Sequence, residues 1–168
     1  AGSVWMFGAA RAQAPHTALT GIPCRISWEN TTHGGDWQTT HGDVELTQIM
    51  PQGDGSFVAI GNGPATITYH SANGCHMVGS PWSAPYMVTV QSEDGHTAEV
   101  SVAPMDQPHS VTATQCLGNA DFQFDVGAPE LPTVTVPLHE GATPFSEDHA
   151  SDHGNAGDAG TVTLHYCT

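Results

Sequence analysis

Imidazole and carboxylate side chains are concentrated in residues 139–160 of the sequence. Nitrogen and oxygen donors of this kind suit a divalent metal, either zinc or copper where imidazole dominates or calcium where carboxylate oxygens do. The spacing matches neither the HExxH motif nor an EF-hand loop, and Gly154 follows too closely for a persistent helix. The candidate metal ligands are His139, Asp148, His149, Asp152 and His153. A solvated acidic loop without a metal is the alternative interpretation.

Tryptophans provide a second set of candidate binding residues. Trp28 and Trp37 lie in a stretch in which histidine and aspartate recur, and Trp82 lies between Pro81 and Ser83. An indole face packs well on a sugar ring, so these side chains are a candidate glycan platform. Packing in the core or at its rim is the other interpretation.

Motifs for covalent catalysis are missing from the sequence. It contains no GxSxG turn, no cysteine in a recognisable nucleophile context, and no glycine-rich phosphate loop followed by lysine. We therefore predict that the protein is not an enzyme.

The N-terminal segment, residues 1–15, carries the most concentrated apolar run of this part of the chain, Val4, Trp5, Met6 and Phe7. Such a run needs an apolar environment, since exposed side chains of this kind promote aggregation. Three interpretations remain open: the end of an export signal, a strand of the protein's own sheet, or a strand donated to a neighbouring subunit. We assign residues 16–168 to one β-sandwich domain.

Charge restricts the partners. The chain has 17 acidic residues against two arginines and no lysine, which gives a formal net charge of −15. No basic surface is available to neutralise nucleic-acid phosphates or to bind an anionic membrane surface. No stretch approaches the ~20 apolar residues of a membrane-spanning helix. The sequence thus predicts no nucleic-acid partner and no membrane span.

The four cysteines are widely spaced and form no CxxC pair. An even number of such cysteines, in a chain without lysine, indicates disulfides and an oxidising compartment. We predict the pairs Cys24–Cys167 and Cys75–Cys116, of which the first would tie the opening strand to the closing one. The expected location is extracellular or at the cell surface.

Short runs of alternating apolar and polar residues, separated by glycine, proline and asparagine, recur along the chain. This pattern predicts an all-β fold, a two-sheet antiparallel sandwich of Ig-like or jelly-roll-like type, with two long loops at 71–85 and 139–160. Tight turns are expected at 52–55 and 92–95. The predicted strands are 22–28, 43–50, 56–60, 64–70, 86–91, 97–102, 109–116, 121–126, 132–138 and 160–167.

Alternation also predicts which side chains face the core. On one strand these are Val134, Val136 and Leu138, and on the last strand Val162, Leu164 and Tyr166, which leaves His165 on the opposite face.

The functional hypothesis is a secreted or cell-surface structural subunit that self-assembles, as homo-oligomer or pilus-like filament, by donating its N-terminal strand. A secreted metal-binding protein that uses residues 139–160 and a glycan-binding module are the alternatives.

Overall fold

The computed structural model describes residues 21–34, 36–70, 76–79, 82–105, 109–114, 122–126, 130–151 and 154–167. In these ranges the chain forms strands and turns without a helix, so the all-β prediction is confirmed. The strands are β1 (Arg25–Gly34), β2 (Asp36–Gly53), β3 (Ser56–His70), β4 (His76–Gly79), β5 (Trp82–Gln91), β6 (Thr97–Pro104), β7 (His109–Thr114), β8 (Phe122–Val126), β9 (Leu131–Pro137), β10 (Gly141–Ser151) and β11 (Gly154–His165).

All pairings are antiparallel and belong to one connected sheet that forks at β3. The order β10–β11–β1–β2–β3 continues along the first part of β3 into β5, β6 and β9. The last residues of β3, Thr68–His70, pair instead with β4, which leads to β7 and β8. The eight strands from β10 to β9 curl towards a barrel around the core.

The two-sheet sandwich is therefore corrected to one curled sheet. The physical reason lies in the length of β2, which spans 18 residues, and in its irregular register. The ladder between β2 and β3 shifts between Leu46 and Gln48 and again between Pro51 and Gly53. Because such bulges bend a strand and increase its twist, one continuous strand can serve two walls of the barrel.

The barrel interior is filled by alternate residues of seven strands. Val134, Val136, Val162 and Leu164 are buried as predicted, and Leu138 and Tyr166 pack at the edge of this core. The largest fully buried side chains include Tyr86, Phe57, Ile26, Leu131, Val44, Val88, Val90, Val100 and Val102. Their burial is the main stabilising contribution available to a sheet with this little charge pairing.

Two predicted strands, 56–60 and 64–70, are one strand in the structure. Gly61 and Gly63, which resemble a turn in the sequence, lie within β3 where it approaches β2 closely. A Cβ atom at Gly63 would lie 1.8 Å from the carbonyl oxygen of Asp43. Glycine is thus required here for close backbone approach and does not end the strand.

Both predicted tight turns are confirmed. The β2–β3 turn uses three consecutive left-handed residues, Gly53, Asp54 and Gly55, with φ of 95°, 52° and 81°. In the β5–β6 turn, Asp94 Oδ1 accepts hydrogen bonds from the backbone N–H groups of His96 and Thr97, both at 2.8 Å. These bonds favour the carboxylate and lower the pKa of Asp94 to about 2.

Both predicted long loops contain strands. Residues 141–151 and 154–165 form the β10–β11 hairpin, with Gly141 opposite Leu164 and Ser151 opposite Gly154. Residues 71–85 contribute β4 and the start of β5. Neither segment shows a clear period-two pattern in its sequence, yet strands form there because the ladder hydrogen bonds are made by the backbone. In β10, Phe145 packs against the core.

The disulfide Cys24–Cys167 is confirmed, with a Cα–Cα distance of 5.6 Å. It joins the residue before β1 to the second residue after β11, two strands that pair along nine positions. Cys75 and Cys116 lie outside the described residues, so their pairing stays a prediction.

Candidate functional site

The outer face of β11, β1, β2 and β3 carries an open groove of about 490 Å³, here called the outer groove. Its side chains alternate with core residues on the same strands, so they project away from the barrel interior. The polar lining consists of Ser27, Glu29, His41, Asp43, Thr66, Thr161 and Thr163. The exposed Pro64 and the buried residues Trp28, Gly42 and Ala65 complete the lining.

A series of three polar side chains in contact begins at Ser27. Ser27 Oγ lies 3.2 Å from Nε2 of His165, and Nδ1 of His165 lies 3.5 Å from Oε1 of Glu140. The other carboxylate oxygen, Oε2, accepts the backbone N–H of Tyr166 at 2.5 Å. Burial and the nearby charge of Glu140 raise the pKa of Tyr166. Serine, imidazole and carboxylate are thus arranged in series.

The register explains this arrangement. Arg25 is paired with His165 across β1 and β11, so Ser27, two residues further on, is the diagonal neighbour of His165 on the same face. Glu140 lies in the turn between β9 and β10, beside the end of β11. Three separate parts of the chain therefore meet at one edge of the outer groove.

Arg25 lies on the same face and forms a bidentate hydrogen-bonded pair with Asp43. Its guanidinium lowers the pKa of Asp43, chiefly through hydrogen bonding, and the carboxylate in turn raises the pKa of Arg25. A further pair, His41 Nδ1 and Glu29 Oε2, stands 3.6 Å apart. The chain has two arginines and no lysine, and one of these two arginines lies beside this groove.

A second feature is the pair of sheet edges formed by β9 and β10. The two strands are consecutive in the chain, yet within the described ranges β9 pairs only with β6 and β10 only with β11. The N–H of Leu138 donates to the carbonyl oxygen of His96, on the side of β9 that faces β6. Because successive N–H groups of a strand point to opposite sides, the N–H of Thr135 points to the free edge. The two strands lie close together near the turn that joins them, and we call the stretch along which their edges are not paired with each other the β9–β10 gap.

The interior beyond Trp28 is polar. Asn30 Nδ2 donates to Asp158 Oδ1 at 3.0 Å, and Thr32 Oγ1 donates to the same oxygen at 2.5 Å. Asn30 Oδ1 and Thr40 Oγ1 are buried without a hydrogen-bond partner. Buried polar atoms are usually paired, and these two oxygens are exceptions, as are the buried Trp28 Nε1, Tyr86 Oη and Tyr166 Oη elsewhere in the barrel.

Trp28 is not part of a glycan platform. It is only 3% exposed, its ring lies over Gly42, and it makes an edge-on contact with Tyr86 at a centroid distance of 5.9 Å. The alternative interpretation as a core residue is the right one here. Trp37 and Trp82 occupy ends of β2 and β5, and their side chains are not described.

The predicted metal ligands are only partly visible. His139 is exposed in the turn before β10, and its Nδ1 lies 3.0 Å from the carbonyl oxygen of Glu140. Asp148 and His149 are consecutive residues of β10, opposite Gly157 and Ala156, and only their backbone is described. Asp152 and His153 lie outside the described residues. Where side chains are described, no group of three or more metal-binding residues occurs, and a site in this hairpin stays a prediction.

The predicted assembly residues Val4, Trp5, Met6 and Phe7 also lie outside the described residues. Sequence reasoning missed the series Ser27, His165 and Glu140 because its members are far apart in the chain. A signal was nevertheless present, since alternation placed His165 on the outer face and the predicted Cys24–Cys167 bond made β1 and β11 neighbours. Glu140 had no such signal.

No helix in the described ranges is both long and apolar enough to cross a membrane. Comparison of the chain with family models, curated proteins and solved structures found no match.

Proposed function

We propose that the protein is a secreted or cell-surface structural subunit that assembles by receiving an N-terminal strand of a neighbouring copy in the β9–β10 gap. The observation that supports this proposal is that, in the part of the chain that the structure describes, the two consecutive strands β9 and β10 each have one edge without a partner strand. Free sheet edges are templates for another strand, and one inserted strand would pair with both edges and complete the barrel.

The donor in this proposal is the segment that contains Val4–Phe7. Residues 11–20 then act as a spacer, which reaches roughly 33 Å when extended. The chain enters the barrel beside Cys24, at the end that also holds the β9–β10 turn, because Glu140 contacts His165 there. A donor strand from one body is thus well placed to reach the gap of the next. Contacts of this head-to-tail kind do not close and produce a filament.

Edge chemistry supports a selective acceptor. Pro144 pairs with Thr161, and a proline is tolerated in a strand where its nitrogen faces the free edge. Pro137 is the last residue of β9, and its nitrogen likewise faces the free edge. These prolines limit the pairing of the two edges with unrelated strands of other proteins. The N–H of Thr135 can still donate to an inserted N-terminal strand.

An oxidising location is supported by the Cys24–Cys167 bond. The register of β4 and β7 also favours the second predicted disulfide. His76 is opposite Thr114, so the chain ends that continue to Cys75 and Cys116 leave this ladder side by side. We therefore propose that both bonds form in the secreted protein.

The test is sedimentation velocity over a range of concentrations. The full chain is expected to form concentration-dependent oligomers, and a variant without residues 1–14 to be monomeric. A synthetic peptide of residues 1–14 is expected to bind the shortened protein at one peptide per chain. Thr135→Pro removes a free-edge donor and is expected to weaken assembly, while the matched Thr135→Ala variant assembles normally.

A full chain that remains monomeric at all concentrations would show that any strand insertion is intramolecular or absent, and the proposal would be wrong. Oligomers that persist unchanged after deletion of residues 1–14 would equally reject the N-terminal donor.

A further inference from the structure

We propose that Ser27, His165 and Glu140 form a nucleophilic site that hydrolyses carboxylic esters bound in the outer groove. The proposal is independent of assembly. It rests on the two consecutive side-chain distances, 3.2 Å from Ser27 to His165 and 3.5 Å from His165 to Glu140, and on the groove that Ser27 lines. A serine–histidine–carboxylate series is recognised by geometry and roles and occurs on unrelated folds.

In the first half of the reaction, Ser27 Oγ attacks the ester carbonyl carbon while His165 Nε2 takes the hydroxyl proton. The carbonyl electron pair moves onto oxygen and then returns as the bond to the alcohol oxygen breaks. His165 gives its proton to the departing alkoxide, which leaves as an alcohol. The acyl group remains bound to Ser27 as an ester.

In the second half, water attacks the acyl carbonyl, and His165 takes one of its protons. The tetrahedral intermediate collapses, the bond to Ser27 Oγ breaks, and His165 returns the proton to this oxygen. The sum is ester plus water giving carboxylic acid plus alcohol. No further reactant is needed. Glu140 takes no part in the proton transfer: its carboxylate, 3.5 Å from His165 Nδ1, orients the imidazole, which makes it a positioning residue.

The fold holds this series in place from two sides. The N–H of Tyr166 fixes the second oxygen of Glu140, so the carboxylate is oriented towards His165. The Cys24–Cys167 bond fixes the end of β11 against β1, the strands that carry His165 and Ser27. Both constraints act within two residues of His165 along the chain.

Charge on the groove indicates the class of substrate. Glu29 and Asp43 line it, and Glu140 stands at its edge, so an anionic ester would be repelled. Uncharged or cationic esters are expected to bind. The guanidinium of Arg25 has more N–H groups than the two that bond Asp43, and its charge favours a developing oxyanion on this face. The backbone N–H groups of the surrounding strands already donate to carbonyl oxygens of the ladder and are not free to stabilise the oxyanion, so we expect a modest rate of ester hydrolysis.

The first test is labelling with a fluorophosphonate probe, followed by intact-mass and peptide mass spectrometry. One adduct per chain on Ser27 is expected, and Ser27→Ala should remove it. Ser101→Ala is the matched control, because Ser101, like Ser27, lies between two buried apolar residues on a strand but belongs to β6. A known serine esterase is labelled in parallel to confirm that the probe is active.

The second test measures hydrolysis of p-nitrophenyl acetate. Ser27→Ala and His165→Gln should each lower kcat/KM by about 100-fold or more, as general-base and nucleophile losses do. Glu140→Gln should lower kcat with little change in KM, and Glu140→Asp, which keeps the carboxylate, should restore part of the lost kcat. A merely structural role would not produce this dependence on the carboxylate.

Circular dichroism of each variant shows whether it is folded. Absence of both an adduct and hydrolysis in the folded wild type would overturn the proposal. So would labelling or turnover that is unaffected by Ser27→Ala in folded protein.

Discussion

The two halves of the barrel interior differ in what stabilises them. On the side of Trp28 that faces the Cys24–Cys167 bond, the interior is lined by fully buried apolar residues such as Ile26, Val44 and Val100. On the other side, the same strands place Asn30 and Thr40 inside, with two buried oxygens unpaired. We call these the apolar half and the polar half. The difference indicates that folding free energy is concentrated in the apolar half, because burial of apolar side chains is the main favourable contribution, whereas the polar half buries Asn30, Thr40 and Asp158.

The largest expected effect comes from removing an aromatic side chain in the apolar half. Phe57 is completely buried, so Phe57→Ala should lower the free energy of unfolding by about 3–5 kcal/mol. Urea denaturation followed by fluorescence gives this value. Val58→Ala on the opposite face of the same strand is the control and should lose clearly less. Equal losses at both positions would break the distinction between core and surface of β3.

Removal of the disulfide should be the next largest effect. The bond links residues 143 apart, so it restricts the unfolded chain strongly. Replacing both Cys24 and Cys167 by serine should lower the free energy of unfolding by about 2–5 kcal/mol. Thermal unfolding of wild type with and without reductant provides an independent measurement. If reduced wild type matched the oxidised protein in stability, the apolar half would not depend on this bond.

Gly42→Ala tests the boundary between the halves. A Cβ atom there would lie 2.0 Å from a ring carbon of Trp28, and overpacking of this kind costs about 1–3 kcal/mol. The near-ultraviolet circular dichroism of the Trp28–Tyr86 pair should change as well. In the double variant with Trp28→Leu the loss should be less than additive. Strict additivity would mean that the two residues do not meet.

The polar half should tolerate loss of a hydroxyl group. Thr40 Oγ1 is buried and unpaired, so Thr40→Val should change the free energy of unfolding by less than about 0.5 kcal/mol or stabilise the protein. Thr39 is the matched control, since its hydroxyl lies 3.1 Å from that of Thr31 on the outer face. Chemical denaturation of both valine variants compares them directly. A substantial loss at Thr40 alone would show that its hydroxyl is satisfied in solution.

The smallest expected effect lies in the exposed turn at the end of the apolar half. The pKa of Asp94 is lowered to about 2 from its ordinary value of 3.8, so the carboxylate stabilises the fold above pH 3.8. This contribution is lost as the pH falls from 3.8 through about 2. Asp94→Ala should therefore have a slightly lower Tm at neutral pH, and the difference should vanish near pH 2. A difference that is constant over this range would contradict the assignment to ionised Asp94.

Local patterns in the sequence predict much of this fold. Period-two alternation identifies the inward residues of β9 and β11, and the turn residues at 52–55 and 92–95 identify two hairpins. The first disulfide is also predicted, because it joins the opening and closing strands. The alternation and the turns are encoded by residues that are close in the sequence, and the disulfide is indicated by the presence of cysteines near both ends of the sheet.

Tertiary features are less accessible. Gly61 and Gly63 resemble a turn because the sequence does not show how closely β2 approaches them. The β10–β11 hairpin is missed because its ladder is formed by the backbone and its side chains do not alternate clearly. Ser27, His165 and Glu140 come together only through pairing of β1 with β11 and the position of the β9–β10 turn. No local spacing rule contains that information.

The covalent link between Cys24 and Cys167 also determines how the barrel would respond to tension. A pull on the residues that precede β1 is transmitted at once to the end of β11. The sheet then cannot be opened by peeling β1 away one hydrogen bond at a time. Both strands must slide together past β2 and β10, which loads many ladder bonds in parallel. Mechanical resistance is thus placed at the end where a subunit in a filament would be pulled.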